Sequence, residues 1–298
     1  MITQHSLNCP ICNQALDKIA SFPNNRDVYV CKKCGLRRLL PLPSKQNLTN
    51  LYGRKKYYTE ELFELHDDLK IDYDWKNPII KLYQKHLNEI LLTAPPPKHL
   101  LEIGCARGVF LDMARSAGYK VQGIEANPYA AKYAHKFFNL QVTTTKFESV
   151  KKNFGKFDII VAYDVIEHVP NPSGFIKKIT TFLKPGGLVV IGTPNSSSLL
   201  YKIAEKTALV SKSRIVYPLI RFYGRGVEHL SIFNPENLKR LLTLNKFRVI
   251  KLYGYSIPLK NMVRVNGIYR IALTLLARPS YEFVTIARKT KNTKAKKV

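Results

Sequence analysis

Residues 98–125 place a short apolar run, a glycine turn, a helical stretch and a second apolar run in an order that few folds accommodate. His99-Leu100-Leu101-Glu102-Ile103 predicts a buried strand, Gly104-Cys105-Ala106-Arg107-Gly108 a turn, and the residues from about Val109 a helix. Glycine at 104 and 108 lets the backbone approach a bound cofactor closely, as in mononucleotide-binding units. The second strand, over residues 119–124, ends in Glu125, 21 residues after Gly104. An acid there accepts both ribose hydroxyls of an adenosine. Taken alone, this unit suits a nicotinamide enzyme as well.

The rest of the chain narrows the choice. A fourth strand over residues 157–164 closes on Asp164 and is followed by Val165-Ile166-Glu167-His168-Val169-Pro170. A helix comes next, then Lys184-Pro185-Gly186-Gly187 and a fifth strand over residues 188–192. Four ordered features, the 102–108 turn, the Glu125 acid, the 164–169 run and the 183–187 run, resemble the class I S-adenosylmethionine methyltransferases. The likeness is to the branch with the ubiquinone-biosynthesis O-methyltransferases and many glycan and natural-product methyltransferases, and it covers residues 100–288.

The resemblance implies an α/β fold: a doubly wound, seven-stranded, Rossmann-like sheet whose last strand is antiparallel, with residues 247–253 and 281–287 as closing strands. It implies that the turn of Gly104, Cys105, Ala106 and Gly108 holds the methionine portion of S-adenosylmethionine, and that Glu102 and Asp164 also serve the cofactor. Glu125, beside Ala126, would take the ribose, and the 145–148 loop the adenine, with Phe147 as the contact. Ala106 departs from the usual three-glycine turn, and a positive φ there is costly for a residue with a Cβ. Each acid also has a local role open to it: Glu102 tying down the turn, Asp164 capping the next helix. Cys105 reads as a small buried turn residue, because sulfonium chemistry needs no covalent intermediate.

Cys9 and Cys12, in Cys-Pro-Ile-Cys, precede Cys31 and Cys34, in Cys-Lys-Lys-Cys-Gly, by 18 intervening residues. This is the spacing of a four-thiolate zinc ribbon, in which each knuckle brings two sulfurs to one tetrahedral ion. Four thiolates leave no open position, so the zinc is expected to be structural. Residues 1–45 are read as ribbon and linker, the linker carrying Pro41 and Pro43. Residues 46–97 are read as helical, with Ile80, Tyr83, Leu87, Ile90 and Leu91 at helical spacing before Pro95, Pro96 and Pro97. By resemblance, Tyr52, Tyr57 and Tyr58 cover the cofactor or substrate; packing of an amphipathic helix explains them equally. The methyltransferase domain is expected over residues 98–288.

No run of about 18 apolar residues is present and the N-terminus lacks a signal-peptide pattern, so a cytoplasmic protein is expected. The formal net charge is +27, and from Pro194 onward 21 Lys plus Arg face four Glu and no Asp. Such a surface attracts nucleic acid, anionic lipid or phosphorylated substrate, although a Lys-rich composition alone would write it too. Two basic, apolar insertions, 196–226 and 259–278, have the composition of interfacial helices at an anionic membrane surface; a lid over the site is the other reading. Residues 289–298 read as a basic, disordered tail.

Methyl transfer from a sulfonium asks the protein for orientation and a dry pocket, and a hydroxyl acceptor also benefits from a base. His168 and His229 are the candidates, because an imidazole titrates near neutrality. The expected reaction is methylation of an oxygen on a small molecule or glycan, including a lipid-linked one. The alternative is an RNA methyltransferase gripping through the ribbon and the basic surface. Against it, Asp164-Val165-Ile166-Glu167 stands where base-modifying relatives carry an Asn-Pro-Pro-Tyr-like run. A third reading is a binding protein that has lost turnover. No pattern in the chain specifies the oligomeric state.

Overall fold

The computed structural model describes residues 7–22, 26–53, 77–216, 229–255 and 280–290. The chain begins with three strands, β1 (Leu16–Phe22), β2 (Arg26–Cys31) and β3 (Arg37–Leu40), followed by α1 (Lys45–Tyr52) and α2 (Pro78–Thr93). The central αβ alternation is β4 (His99–Ile103), α3 (Val109–Ser116), β5 (Lys120–Glu125), α4 (Pro128–Phe138), β6 (Val142–Thr144), β7 (Phe157–Tyr163), α5 (Pro172–Phe182) and β8 (Leu183–Pro194). It closes with α6 (Leu199–Val210), β9 (Ser231–Ile232), α7 (Pro235–Leu244), β10 (Phe247–Tyr255) and β11 (Glu282–Lys289).

Local chemistry sets these boundaries. The Asn77, Asn127, Asn171 and Asn234 side chains each accept a first-turn amide, each with proline at the next position, where a missing N–H costs nothing. Asn139, at φ 50°, ends α4 in the left-handed conformation. Leu100 and Leu101 of β4 are both fully buried, one in each of the two apolar layers on either side of the sheet. A strand covered on both faces reads as a continuous apolar run, as this one does.

Seven strands form the main sheet in the order β10-β11-β8-β7-β4-β5-β6. β4, β5, β6, β7 and β8 run parallel, and β11 is antiparallel to both its neighbours. This is the expected doubly wound sheet with its antiparallel last strand. The chain winds outward from β4 through β5 to β6, then returns to build β7 and β8 on the other side. The winding reverses between β4 and β7, and in such sheets the crevice beyond the carboxyl ends of those strands is the ligand site.

A second sheet joins the N-terminal strands to the end of the chain's insertion, in the order β1-β2-β3-β9. β9 pairs with β3 through Arg37↔Ile232 and Arg38↔Ser231. Tyr201, Ala204 and Ala208 of α6 pack against Ala20, Phe22, Val28 and Leu39 of this sheet, and the Arg37 guanidinium forks onto both oxygens of Glu205 at 3.0 and 2.9 Å. The insertion expected to be amphipathic therefore spends one face of α6 on the ribbon, while Leu199, Ile203 and Val210 on the same helix are exposed. Its continuation over 217–228, the 259–278 insertion, Tyr57, Tyr58 and residues 291–298 lie outside the described residues. One boundary is corrected: Lys289 belongs to β11 rather than to a tail, because its Nζ donates to the Thr180 and Leu183 carbonyls at the end of α5.

Gly108 sits at φ 81°, and a Cβ there would lie 2.6 Å from Leu140 Cδ1 and 2.9 Å from Ala134 Cβ. Strain and overpacking add at such a site. Gly108→Ala is expected to lower the unfolding free energy by about 2–4 kcal/mol in urea titrations; an unchanged midpoint would contradict this packing.

Candidate functional site

The turn after β4 is built on backbone hydrogen bonds to the neighbouring strand. Gly104 N–H and Cys105 N–H both donate to the Ile124 carbonyl, at 2.8 and 3.2 Å, and Gly108 N–H donates to the Cys105 carbonyl at 2.8 Å. Gly104, Ala106 and Gly108 all have positive φ, of 72°, 47° and 81°. Ala106 thus occupies the costly conformation that its sequence position threatened. Its N–H donates to Glu125 Oε2 at 2.8 Å, and Asn127 N–H donates to Glu125 Oε1 at 2.7 Å. Hydrogen bonds to an ionised acceptor are among the strong ones, which is how the strained turn is held.

The tying role that stood open to Glu102, beside its expected cofactor role, is filled by Glu125. Glu102 Oε2 is buried with no hydrogen-bond partner, and burial, with the Glu125 charge nearby, holds its carboxyl well above the usual range. Asp164 is not a helix cap, since the short helical turn Ile166–His168 that follows has no side-chain cap and Asp164 itself is left-handed at φ 53°. It is exposed, yet protein atoms surround it at longer range and hold its carboxyl up at about 7. Asp164 directly follows β7 (Phe157–Tyr163), at the carboxyl ends of the strands where the winding reverses, which is where sheets of this kind take their ligands. Glu102, Glu125 and Asp164 thus put three acids around one turn. Cys105, buried beneath it and pushed up by burial, is no nucleophile.

Phe147 requires a correction. Its ring is 4% exposed and packs against Phe175 and Phe182, with centroids at 5.4 and 5.6 Å. No face of it is open to an adenine; two apolar neighbours outcompete a contact proposed from loop position alone. Ala126 is partly exposed between Glu125 and the buried Asn127. The 145–148 loop still adjoins the recess, since Thr145 N–H donates to the Glu125 carbonyl at 2.9 Å.

α1 leans over the same side. Asn127 Nδ2 donates to the Tyr52 carbonyl at 2.7 Å and Lys146 Nζ to Thr49 Oγ1 at 2.6 Å. The Tyr52 ring meets His168 edge-on, with centroids 6.1 Å apart. His168 in turn lies against His229, ring centroids 4.7 Å apart, although 61 residues separate them in sequence. Both histidines are partly exposed. Glu167 joins them: each of the three offers a ligand-type atom within 4.8 Å of the others, a set able to hold a cation. Thr193 Oγ1 donates to Glu167 Oε2 at 2.9 Å, while Oε1 is buried without a partner. Sequence reasoning overlooked Glu167 as a site residue, although it lies between Asp164 and His168 in the diagnostic run. Glu282, buried and electrostatically linked to Asp164 and Glu167, had no such signal.

At the N-terminus the four predicted thiols converge. Cys9 Sγ lies 3.5 Å from Cys34 Sγ, Cys12 Sγ 3.4 Å from Cys31 Sγ, and all four sulfurs fall within 4.8 Å of one another. Tetrahedral zinc–sulfur bonds of about 2.3 Å require sulfurs a little under 4 Å apart, so the group fits such an ion. Gly35, at φ 71°, turns the chain after the second knuckle.

Comparison with known proteins agrees with this architecture. A family profile described as "Methyltransferase domain" matches residues 76–252. The ubiquinone biosynthesis O-methyltransferase of Coxiella burnetii is 28% identical over 235 residues, covering 74% of this chain and 91% of that protein. Among solved structures, the 1,6-didemethyltoxoflavin-N1-methyltransferase of Burkholderia thailandensis, determined with S-adenosylhomocysteine, superposes with a TM-score of 0.55. It is 14% identical and the match covers 92% of this chain and all of that one. A SAM-dependent methyltransferase from Archaeoglobus fulgidus superposes at 0.50, with 20% identity and coverage of 70% and 94%. These two share the fold. The profile spans more than half of the chain and falls on the sheet, turn and acids described above: the protein belongs to the methyltransferase-domain family and is a class I S-adenosylmethionine-dependent methyltransferase.

Proposed function

We propose that the enzyme methylates a hydroxyl oxygen of a small-molecule acceptor, in the recess bounded by Glu102, Glu125, Asp164, His168 and His229. The single observation that carries this reading is the concentration of acids around the turn, with Asp164 exposed at the end of β7 and Glu102 Oε2 buried without a partner. S-adenosylmethionine bears a sulfonium and an α-ammonium, and when bound supplies an already activated methyl group. The acids give both cations a complementary environment, and the ammonium is a donor of the kind Glu102 Oε2 lacks. Glu125, whose oxygens accept the Ala106 and Asn127 amides at the end of β5, is the acid we assign to the ribose hydroxyls. Gly104, Ala106 and Gly108 bring the backbone close; Cys105 fills the space beneath; Ala126 borders the ribose.

Oxygen as the methylated atom is supported by the O-methyltransferase relatives, whose length this chain covers almost completely. The contact between His168 and His229, both partly exposed, supports a role for either as the base that takes the proton of an acceptor hydroxyl. The four cysteines hold zinc in the ribbon, and α1 with Tyr52 covers the donor side. The basic surface following β8 is an attraction for anionic partners, including a membrane surface carrying a lipid-linked acceptor. Among the described residues no helix is long and apolar enough to cross a membrane.

Two measurements follow. A proton and the cofactor's cation compete for Asp164, so cofactor affinity should be full above about pH 7 and fall as pH drops, approaching roughly tenfold per unit. Asp164→Asn should weaken binding and flatten this dependence in calorimetric titrations; a wild-type affinity constant from pH 5.5 to 8.5 would contradict the role. Cell extract incubated with enzyme and S-[methyl-³H]adenosylmethionine should yield label in small-molecule or lipid fractions, stable to mild acid as expected of an ether. Label confined to RNA would overturn the acceptor class.

A further inference from the structure

The ribbon reaches the acceptor side of the recess. We infer that Arg38, on the ribbon strand β3, is a positioning residue that holds the segments carrying His168 and His229 in register. This inference rests on the reading of those histidines as facing the acceptor.

Arg38 is 4% exposed, and its guanidinium spans two segments that are distant in sequence. Nη1 donates to Ser231 Oγ at 2.7 Å and Nη2 to the Pro170 carbonyl at 3.0 Å. These acceptors lie two residues beyond His229 and two beyond His168. The backbone makes the same connection independently. Leu39 N–H of β3 donates to the Leu230 carbonyl at 3.0 Å, and Leu230 N–H donates to the Glu167 carbonyl at 2.7 Å. Leu230, the neighbour of His229, is therefore held on one side by the ribbon and on the other by the neighbour of His168. The pairing of β3 with β9 extends the contact, and Ser196 N–H anchors the far end of that segment by donating to the Phe233 carbonyl at 2.7 Å.

Energetics favour a positioning role over one in stability. A buried cation bears a desolvation cost that an apolar side chain of similar volume avoids, so replacing buried ionic groups by packed hydrophobes is often neutral or stabilising. Both acceptors of Arg38 are uncharged, and the Cys9 thiolate supports its charge only at a distance. What a guanidinium provides and a hydrophobe does not is a rigid planar fork that fixes two acceptors relative to each other. Those acceptors belong to the two histidine segments. Ribbon and catalytic sheet are thus one functional unit, and the thiolate cluster keeps β3 in place for a task at the methyl acceptor, not at the cofactor.

The test uses the full-length, zinc-replete protein and the variants Arg38→Met and Arg38→Lys. Arg38→Met is expected to keep its metal content and to bind S-adenosylhomocysteine within about threefold of wild type. Its kcat per S-adenosylhomocysteine-binding site, on the acceptor found by labelling, should fall on the order of 10–100-fold with the KM for the methyl donor unchanged. That span is the loss of one to two hydrogen bonds from a charged donor. Arg38→Lys should recover part of kcat. A second readout needs no acceptor: the ¹H–¹³C side-chain resonances of His168 and His229 should shift in Arg38→Met, while those of His86, on α2, stay in place. Should Arg38→Met fail to fold, Ser231→Ala, which removes only the Nη1 acceptor, is judged by the same readouts. Unmoved histidine resonances in a folded variant, or a kcat per binding site within twofold of wild type, would overturn the inference. Shifted resonances in a protein that methylates nothing would leave the linkage standing and overturn the proposed function instead.

Discussion

The carboxylate of Glu125 receives two backbone amides, from Ala106 in the turn after β4 and from Asn127 at the head of α4. Everything at the donor end of the recess depends on that pair of bonds. They compensate a left-handed alanine, fix the turn against the neighbouring strand, and orient the acid that the proposed function assigns to the ribose. Because the acceptor is charged and buried, each bond is stronger than a neutral one, and losing the acid would strand two amides at once.

From this anchor the molecule divides into a donor side and an acceptor side. The donor side is contained in one mononucleotide-binding unit, with β4, β5 and the turn between them. The side that the proposed function gives to the acceptor is assembled from remote pieces: the Ile166–His168 turn after β7, the β9 segment, and the ribbon strand that pairs with it.

The donor side was legible in the sequence because its signals are local. A strand, a glycine turn and an acid 21 residues on are fixed by covalent spacing, as are paired CxxC knuckles. Two readings fared differently, and one set of contacts had no sequence signal. The turn's tie belongs to Glu125 rather than Glu102, because which of two neighbouring acids reaches an amide is settled by side-chain direction and not by spacing. Phe147 lies in the core, because an aromatic ring beside Phe175 and Phe182 gains more from burial than from an exposed stacking position. The contact of His168 with His229, the bonds of Arg38 and the addition of β9 to the ribbon join residues more than 60 positions apart, and no local pattern encodes them.

Calorimetric titration of S-adenosylhomocysteine into the metal-replete protein, run beside Glu125→Ala, tests the donor pocket most directly. The account predicts one saturable site per chain with micromolar affinity, weakened by roughly two orders of magnitude or more once the anchoring carboxylate and its two bonds are removed. A wild-type protein that shows no binding at millimolar ligand, or a variant that binds as well as wild type, would contradict it.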